Sequence, residues 1–213
     1  MSDIFPKWTN KLPSRVILGA VLLATAATIG VTYYFTPKYT DVGYQPLQPV
    51  YFPHSVHADQ LGIDCRYCHH DVEKSWYSNL PGPGVCMNCH SQVLPNDPRL
   101  ALIRSSATNN TSVPWVQIHK MPDFVYFNHS VHVNRGISCV HCHGQVNKLD
   151  EVEQLKPLSM SFCLDCHRDP GKNIRPPDQI TNLDWQRPKN FDGNALVQHW
   201  NVHPPQSCSA CHR

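Results

Sequence analysis

The stretch Val50-Tyr-Phe-Pro-His-Ser-Val-His-Ala-Asp-Gln-Leu-Gly-Ile-Asp-Cys-Arg-Tyr-Cys-His-His70 decides how the chain is read. It packs four histidines and two cysteines into a short span, and it returns. Val125-Tyr-Phe-Asn-His-Ser-Val-His-Val-Asn-Arg-Gly-Ile-Ser-Cys-Val-His-Cys-His143 is the same design, with one residue fewer between the His-Ser-Val-His unit and the cysteines. All 10 cysteines fall in Cys-x-x-Cys pairs: Cys65/Cys68, Cys86/Cys89, Cys139/Cys142, Cys163/Cys166 and Cys208/Cys211, and histidine follows each pair.

Cys-x-x-Cys-His is the attachment signature of c-type haem, and roughly 0.03 copies are expected by chance at these residue frequencies. Zinc ribbons pair two Cys-x-x-Cys knuckles per metal and give no reason for a histidine after every pair. A redox dithiol needs one motif in a strand–helix context, and disulfides leave the histidines unexplained. The cofactor expectation is therefore five covalently attached haem c groups. Residues i, i+3 and i+4 share one face of a helix, so two thiols and one imidazole can meet a single macrocycle. Short helices are expected at each motif.

Ahead of these motifs lies an uncharged run, Val16–Phe35, flanked by Lys7, Lys11 and Arg15. Twenty residues at helical rise span about 30 Å, the thickness of a bilayer's hydrocarbon core. Tyr33, Tyr34 and Phe35 suit the far interface, and the basic flank places the N-terminus in the cytoplasm. Ala24-Thr25-Ala26 offers a signal-peptidase pattern, but the run continues well past it, so a retained single-pass anchor is expected. The predicted layout is 1–15 cytoplasmic N-terminus, 16–36 transmembrane helix, 37–49 tether, 50–95 first dihaem module, 96–121 connection, 122–168 second dihaem module and 169–213 tail with the fifth haem. Haem attachment of this type takes place outside the bacterial cytoplasmic membrane. The expected location is thus that inner membrane, with the haem domain in the periplasm.

The proximal iron ligands expected are His69, His90, His143, His167 and His212. For the opposite faces, His54, His57, His129 and His132 stand in the repeated unit, and His70 follows a proximal histidine directly. His119, His141, His199, His203, Met121 and Met160 are alternates. Gly144 occupies the position of His70 in the second copy, which leaves the fourth haem short of that donor. An axial methionine there would raise the potential relative to two histidines.

Nineteen prolines and weak helical periodicity outside the membrane run predict a mostly irregular and α fold, with short helices around stacked haems. About 35 residues per haem cannot insulate the macrocycles from one another, so electron hopping is favoured over substrate chemistry. With at least as many candidate donors as irons, six-coordinate sites are expected and no catalytic residue is assigned. The net charge of +2 shows no basic patch with interleaved aromatics, and nucleic acid is not an expected partner.

The unit Phe-x-His-Ser-Val-His followed by Cys-x-x-Cys-His, with His70 in the first copy, resembles the class III multihaem cytochromes c. That resemblance implies His54 on the Cys65/Cys68 haem, His70 on the Cys86/Cys89 haem, His129 on the Cys139/Cys142 haem and His132 on the Cys208/Cys211 haem, with His57 competing for the third. One anchor, two such units and a fifth motif together resemble the pentahaem cytochrome c subunit of alternative complex III. This implies a wire from a quinol-oxidising membrane complex, with an iron–sulfur subunit among the partners, to a monohaem cytochrome c or an oxidase. The other readings are a self-contained tetrahaem-type quinol dehydrogenase and a multihaem reductase subunit.

Overall fold

The computed structural model describes residues 5–35 and 41–213. The ends of the predicted cytoplasmic segment and anchor (residues 1–4 and 36) and the start of the tether (37–40) lie outside the described residues. The chain divides into two units, Met1–Asp41 and Val42–Arg213.

In the first unit a 3₁₀ turn, Lys7–Lys11, leads into one α-helix, Leu12–Phe35. The helix starts a turn before the uncharged run because Pro13, with no N–H to satisfy, fits the first helical turn. Its 24 residues reach about 36 Å. The hydroxyls of Thr25 and Thr28 donate to the carbonyls of Val21 and Ala24, each at 2.8 Å, so these polar groups are satisfied within the helix. This apolar helix is long enough to cross a membrane, and an N-terminal signal sequence has the same character.

The second unit is built from short helices and irregular chain. Among the described residues there are no strands, only isolated bridges at Val125/His212 and Ile137/Ile174. Every Cys-x-x-Cys lies on a helix, as the i, i+3, i+4 geometry requires: Cys65–Cys68, Pro83–His90, Cys139–His143, Met160–Arg168 and Cys208–Cys211.

The two copies of the repeat differ by one residue, and the backbone shows where it goes. In both copies the amide of an isoleucine donates to the carbonyl of the second histidine of His-Ser-Val-His: Ile63 to His57 and Ile137 to His132, each at 3.0 Å. The first loop spans one residue more. It is absorbed by a π turn, Ser55–Gln60, where the second copy has an α turn, His129–Val133. A π turn holds one extra residue per hydrogen-bonded ring and recurs at functional sites. Both loops then reverse through a left-handed glycine, Gly62 at φ 66° and Gly136 at φ 80°, a conformation that glycine alone adopts without cost.

The halves are tied together along their length. Gly43 and Gln154 exchange backbone bonds with their opposite segments, Ser55 N–H donates to Leu149 O at 3.0 Å, and the amides of His129 and Ser130 donate to Trp76 O and Ser75 O. Yet the apolar core is thin. The buried hydrophobic side chains among the described residues are Val50, Ile103, Val113, Val133, Ile174, Ile180 and Leu183. Val50, Ile103 and Val113 form one cluster, with Cys86, Met87, Leu100 and Trp115 against it.

Candidate haem sites

A histidine that binds a metal through Nε2 is oriented by what Nδ1–H donates to. Six histidines of this chain place Nδ1 on a backbone carbonyl, which fixes the proton there and leaves Nε2 bare. They are His57 on Pro53 O at 2.9 Å, His69 on Asn79 O at 2.7 Å, His90 on Val93 O at 2.9 Å, His129 on Trp76 O at 2.9 Å, His132 on Asn128 O at 2.7 Å and His167 on Pro205 O at 2.7 Å. All six were expected as ligands from the sequence. Asn79 presents its carbonyl from a left-handed residue, φ 66°, a conformation that asparagine tolerates better than most.

The repeat extends to the rings. Phe52 stands edge-on to His54 at 4.9 Å and stacks on His57 at 4.4 Å. Phe127 does the same for His129 at 4.8 Å and His132 at 4.7 Å. The second histidine of each unit then faces the proximal histidine of the next motif, His57 to His90 at 6.2 Å and His132 to His167 at 6.1 Å between ring centres. Two metal–imidazole bonds of about 2 Å, with about 1 Å from nitrogen to ring centre on each side, put two axial imidazoles about 6 Å apart. The spacing therefore fits an iron between each pair.

These neighbours differ from the ligand transfer implied by the class III resemblance. His57 stands at the Cys86/Cys89 motif rather than the third, and His132 stands at the Cys163/Cys166 motif rather than the fifth. The fourth motif thus has the His132 ring 6.1 Å from its own His167, and Met160 is 66% exposed. His70 is also placed otherwise. Its Nδ1 meets Asp71 at 3.1 Å and its Nε2 meets Asn79 Nδ2 at 3.0 Å, on an exposed side chain.

His54 and His143 are the most strongly desolvated histidines. Burial, followed by neighbouring His69 and His57, lowers the His54 pKa to about 4, and His54 Nδ1 is buried with no hydrogen-bond partner. Burial, then His119, His129, His69 and His54, lowers His143 to about 3. Burial also lowers His129 and His132. Imidazoles held neutral in this way are in the form that ligates a metal. His119 was left as an alternate by the sequence. It sits at 4.4 Å from the His143 ring, perpendicular to it, with Nε2 at 3.3 Å from His143 Nδ1. His199 ends the helix Gly193–His199, and His203 pairs with Asn201 at 2.8 Å. The ring of His212 lies 5.7 Å from Phe124.

The cysteines are all unpaired, and no cluster of three or more His, Cys, Asp or Glu among the described residues converges on a metal position. Thiols paired along one helix face beside an imidazole suit a macrocycle. Burial pushes the thiols of Cys68, Cys86, Cys163 and Cys166 up, and that of Cys142 to about 11. Asp64 caps the first motif helix, accepting from Arg66 N at 2.8 Å. The Arg66 guanidinium holds its carboxyl down at about 2.

Two features escaped the sequence. The carbonyls of Asn79, Val93, Trp76 and Pro205 belong to loops with no local signal. The stacking role of Phe52 and Phe127 had one, since the phenylalanine repeats with the histidines.

The comparisons agree with this chemistry. Residues 125–213 match the family model described as cytochrome c7 and related cytochrome c. Over 139 residues, 65% of this chain, the sequence is 31% identical to the menaquinone reductase, multiheme cytochrome c subunit, of Nitratidesulfovibrio vulgaris (strain Hildenborough). The chain spans 60% of the length of that curated relative. Residues 125–213 thus form a cytochrome c7-like multihaem domain, in a chain homologous to a multihaem cytochrome c subunit.

Proposed function

We propose that the chain is a membrane-anchored pentahaem c-type cytochrome that relays electrons from a quinol-oxidising membrane complex to a periplasmic cytochrome c or a terminal oxidase. Haem c supplies a one-electron iron couple and a conjugated edge through which electrons tunnel. Cys65/Cys68, Cys86/Cys89, Cys139/Cys142, Cys163/Cys166 and Cys208/Cys211 tether the five groups as thioethers. His69, His90, His143, His167 and His212 bind from the proximal side, each oriented by its place one residue after the pair. His57 and His132 bind opposite His90 and His167. His54 and His129 serve the first motifs of their modules, and Phe52 and Phe127 hold both imidazoles of each unit in place. His70 must leave Asp71 and Asn79 before it can bind.

The observation that carries this reading is the pair of ring spacings at His57/His90 and His132/His167, because it repeats in both modules and matches two axial imidazoles. The class III pattern and the likeness to the pentahaem subunit of alternative complex III support a wire within a larger complex. In that setting quinol chemistry, the iron–sulfur subunit and the final acceptor belong to neighbours. The apolar helix Leu12–Phe35 supports an uncleaved anchor in the inner membrane.

A second reading reverses the electron flow, since the relative's name describes a menaquinone reductase subunit. Both are tested by mixing the mature chain, purified in mild detergent, first with a reduced menaquinol analogue and then with a reduced monohaem cytochrome. A wire subunit takes electrons from the cytochrome and oxidises no quinol alone. Quinol oxidation by the isolated chain would contradict it and favour a self-contained dehydrogenase. The direction of flow is read from the same two donors added to the intact complex.

A further inference from the structure

The five motifs are joined by four sets of contacts, and these do not follow chain order. Tyr67 and Asn88 lie between the cysteines of the first and second motifs, and Asn88 Nδ2 donates to Tyr67 Oη at 3.1 Å. The second motif therefore lies against the first.

The first motif meets the third on its other side. The Cys65 and Cys139 side chains are close neighbours across this join. The residues that open the two helices, Asp64 and Ser138, are fastened to consecutive residues of one segment. Thr181 Oγ1 donates to Asp64 at 2.9 Å, and Ser138 Oγ donates to Ile180 O. A single strap thus sets the two helix starts side by side.

The third motif meets the fourth, since the Ile137/Ile174 bridge and the Arg175 N–H donated to Gly136 O at 3.0 Å pin the approach to the third motif against the turn that follows the fourth motif's helix, and the His132 and His167 rings lie 6.1 Å apart. Asn173 bridges the same join, bonding the Cys166 side chain and, through its backbone, His141. The fourth meets the fifth through His167. Its Nδ1–H donates to Pro205 O at 2.7 Å and its carbonyl accepts from Gln206 at 3.4 Å, just before the last helix.

Exposure gives an independent indication of the ends. Cys89 and Cys208 are the exposed cysteines, one in the second motif and one in the fifth, and the other eight are partly covered.

We infer that the haem sites stand in the spatial order Cys86/Cys89, Cys65/Cys68, Cys139/Cys142, Cys163/Cys166, Cys208/Cys211, with the two outer motifs as the ports at which one-electron partners dock. The two modules meet through their first motifs, so the duplication joins the units back to back and the fifth motif extends one end. This rests on the five-haem reading above.

Iron positions in the mature, haem-loaded chain test it, located by anomalous diffraction at the iron edge. The expected result is an unbranched row in which the irons of the Cys65/Cys68 and Cys139/Cys142 sites are adjacent and those of Cys86/Cys89 and Cys208/Cys211 are farthest apart. A row in chain order, a branched set, or the fifth site beside the first would overturn the inference. Intact mass on the same sample separates the two failures. Fewer than five haems overturns both readings, whereas five haems in another order overturns this one alone.

Discussion

Six histidines rest Nδ1 on main-chain carbonyls, which orients each ring and leaves Nε2 bare, the arrangement that suits a metal-ligating imidazole. The consequence is a pair of rigid imidazoles at 6.1–6.2 Å in each module, already spaced for a metal. Replacing His132 by Ala should therefore convert one haem in five from low-spin to high-spin, read by low-temperature EPR of the oxidised protein. His132→Met should keep it low-spin and raise one midpoint potential, as an axial methionine does. His70→Ala should leave every haem low-spin. At this scale the sequence was informative about identity and weak about partnership. Cys-x-x-Cys-His is legible because covalent attachment demands a fixed local spacing. Which distal histidine meets which motif depends on contacts across tens of residues, and the structure sets His57 beside His90 and His132 beside His167 where the class III pattern implies other motifs.

Elements in this protein are short because they serve attachment points rather than a core. The helix at each motif followed from i, i+3, i+4 geometry, and all five formed. The π turn Ser55–Gln60 was hidden, although the one-residue difference between copies marked it, since sequence gives the length of an insertion but not the turn that absorbs it. The left-handed glycines that close these loops make a graded prediction. An ordinary residue in that conformation costs about 1–2 kcal/mol, and a Cβ on Gly62 would meet nothing within 4 Å, whereas one on Gly136 would lie 2.5 Å from the Arg175 carbonyl. Thermal unfolding of the holoprotein should show a small loss for Gly62→Ala and a larger one for Gly136→Ala, because the backbone it strikes cannot turn aside. Equal losses would contradict the tight packing of the second loop against Arg175.

The whole of Val42–Arg213 buries seven hydrophobic side chains among its described residues, which is far too little to offset the conformational entropy of so long a chain. Macrocycles that bury large apolar faces, at ~25 cal/mol per Å², supply what the side chains do not. The chain expressed without haem maturation should accordingly lack a cooperative melt by circular dichroism, and a native-like transition would contradict this division of labour. That the fold would be irregular and helix-poor was legible from nineteen prolines and missing periodicity. The thin core was foreseeable from the spacing of the motifs, but the back-to-back meeting of the modules at Cys65 and Cys139 was not, being a tertiary contact between equivalent residues. The apolar helix Leu12–Phe35 belongs to the other unit, and its proposed role as an anchor rests on length and composition. Everything at this scale depends on the occupancy of five sites. Intact-mass spectrometry of the mature chain measures that directly: the account predicts the 24.2 kDa polypeptide plus five covalent haems, and a chain carrying fewer, or carrying zinc at its cysteines, would contradict it.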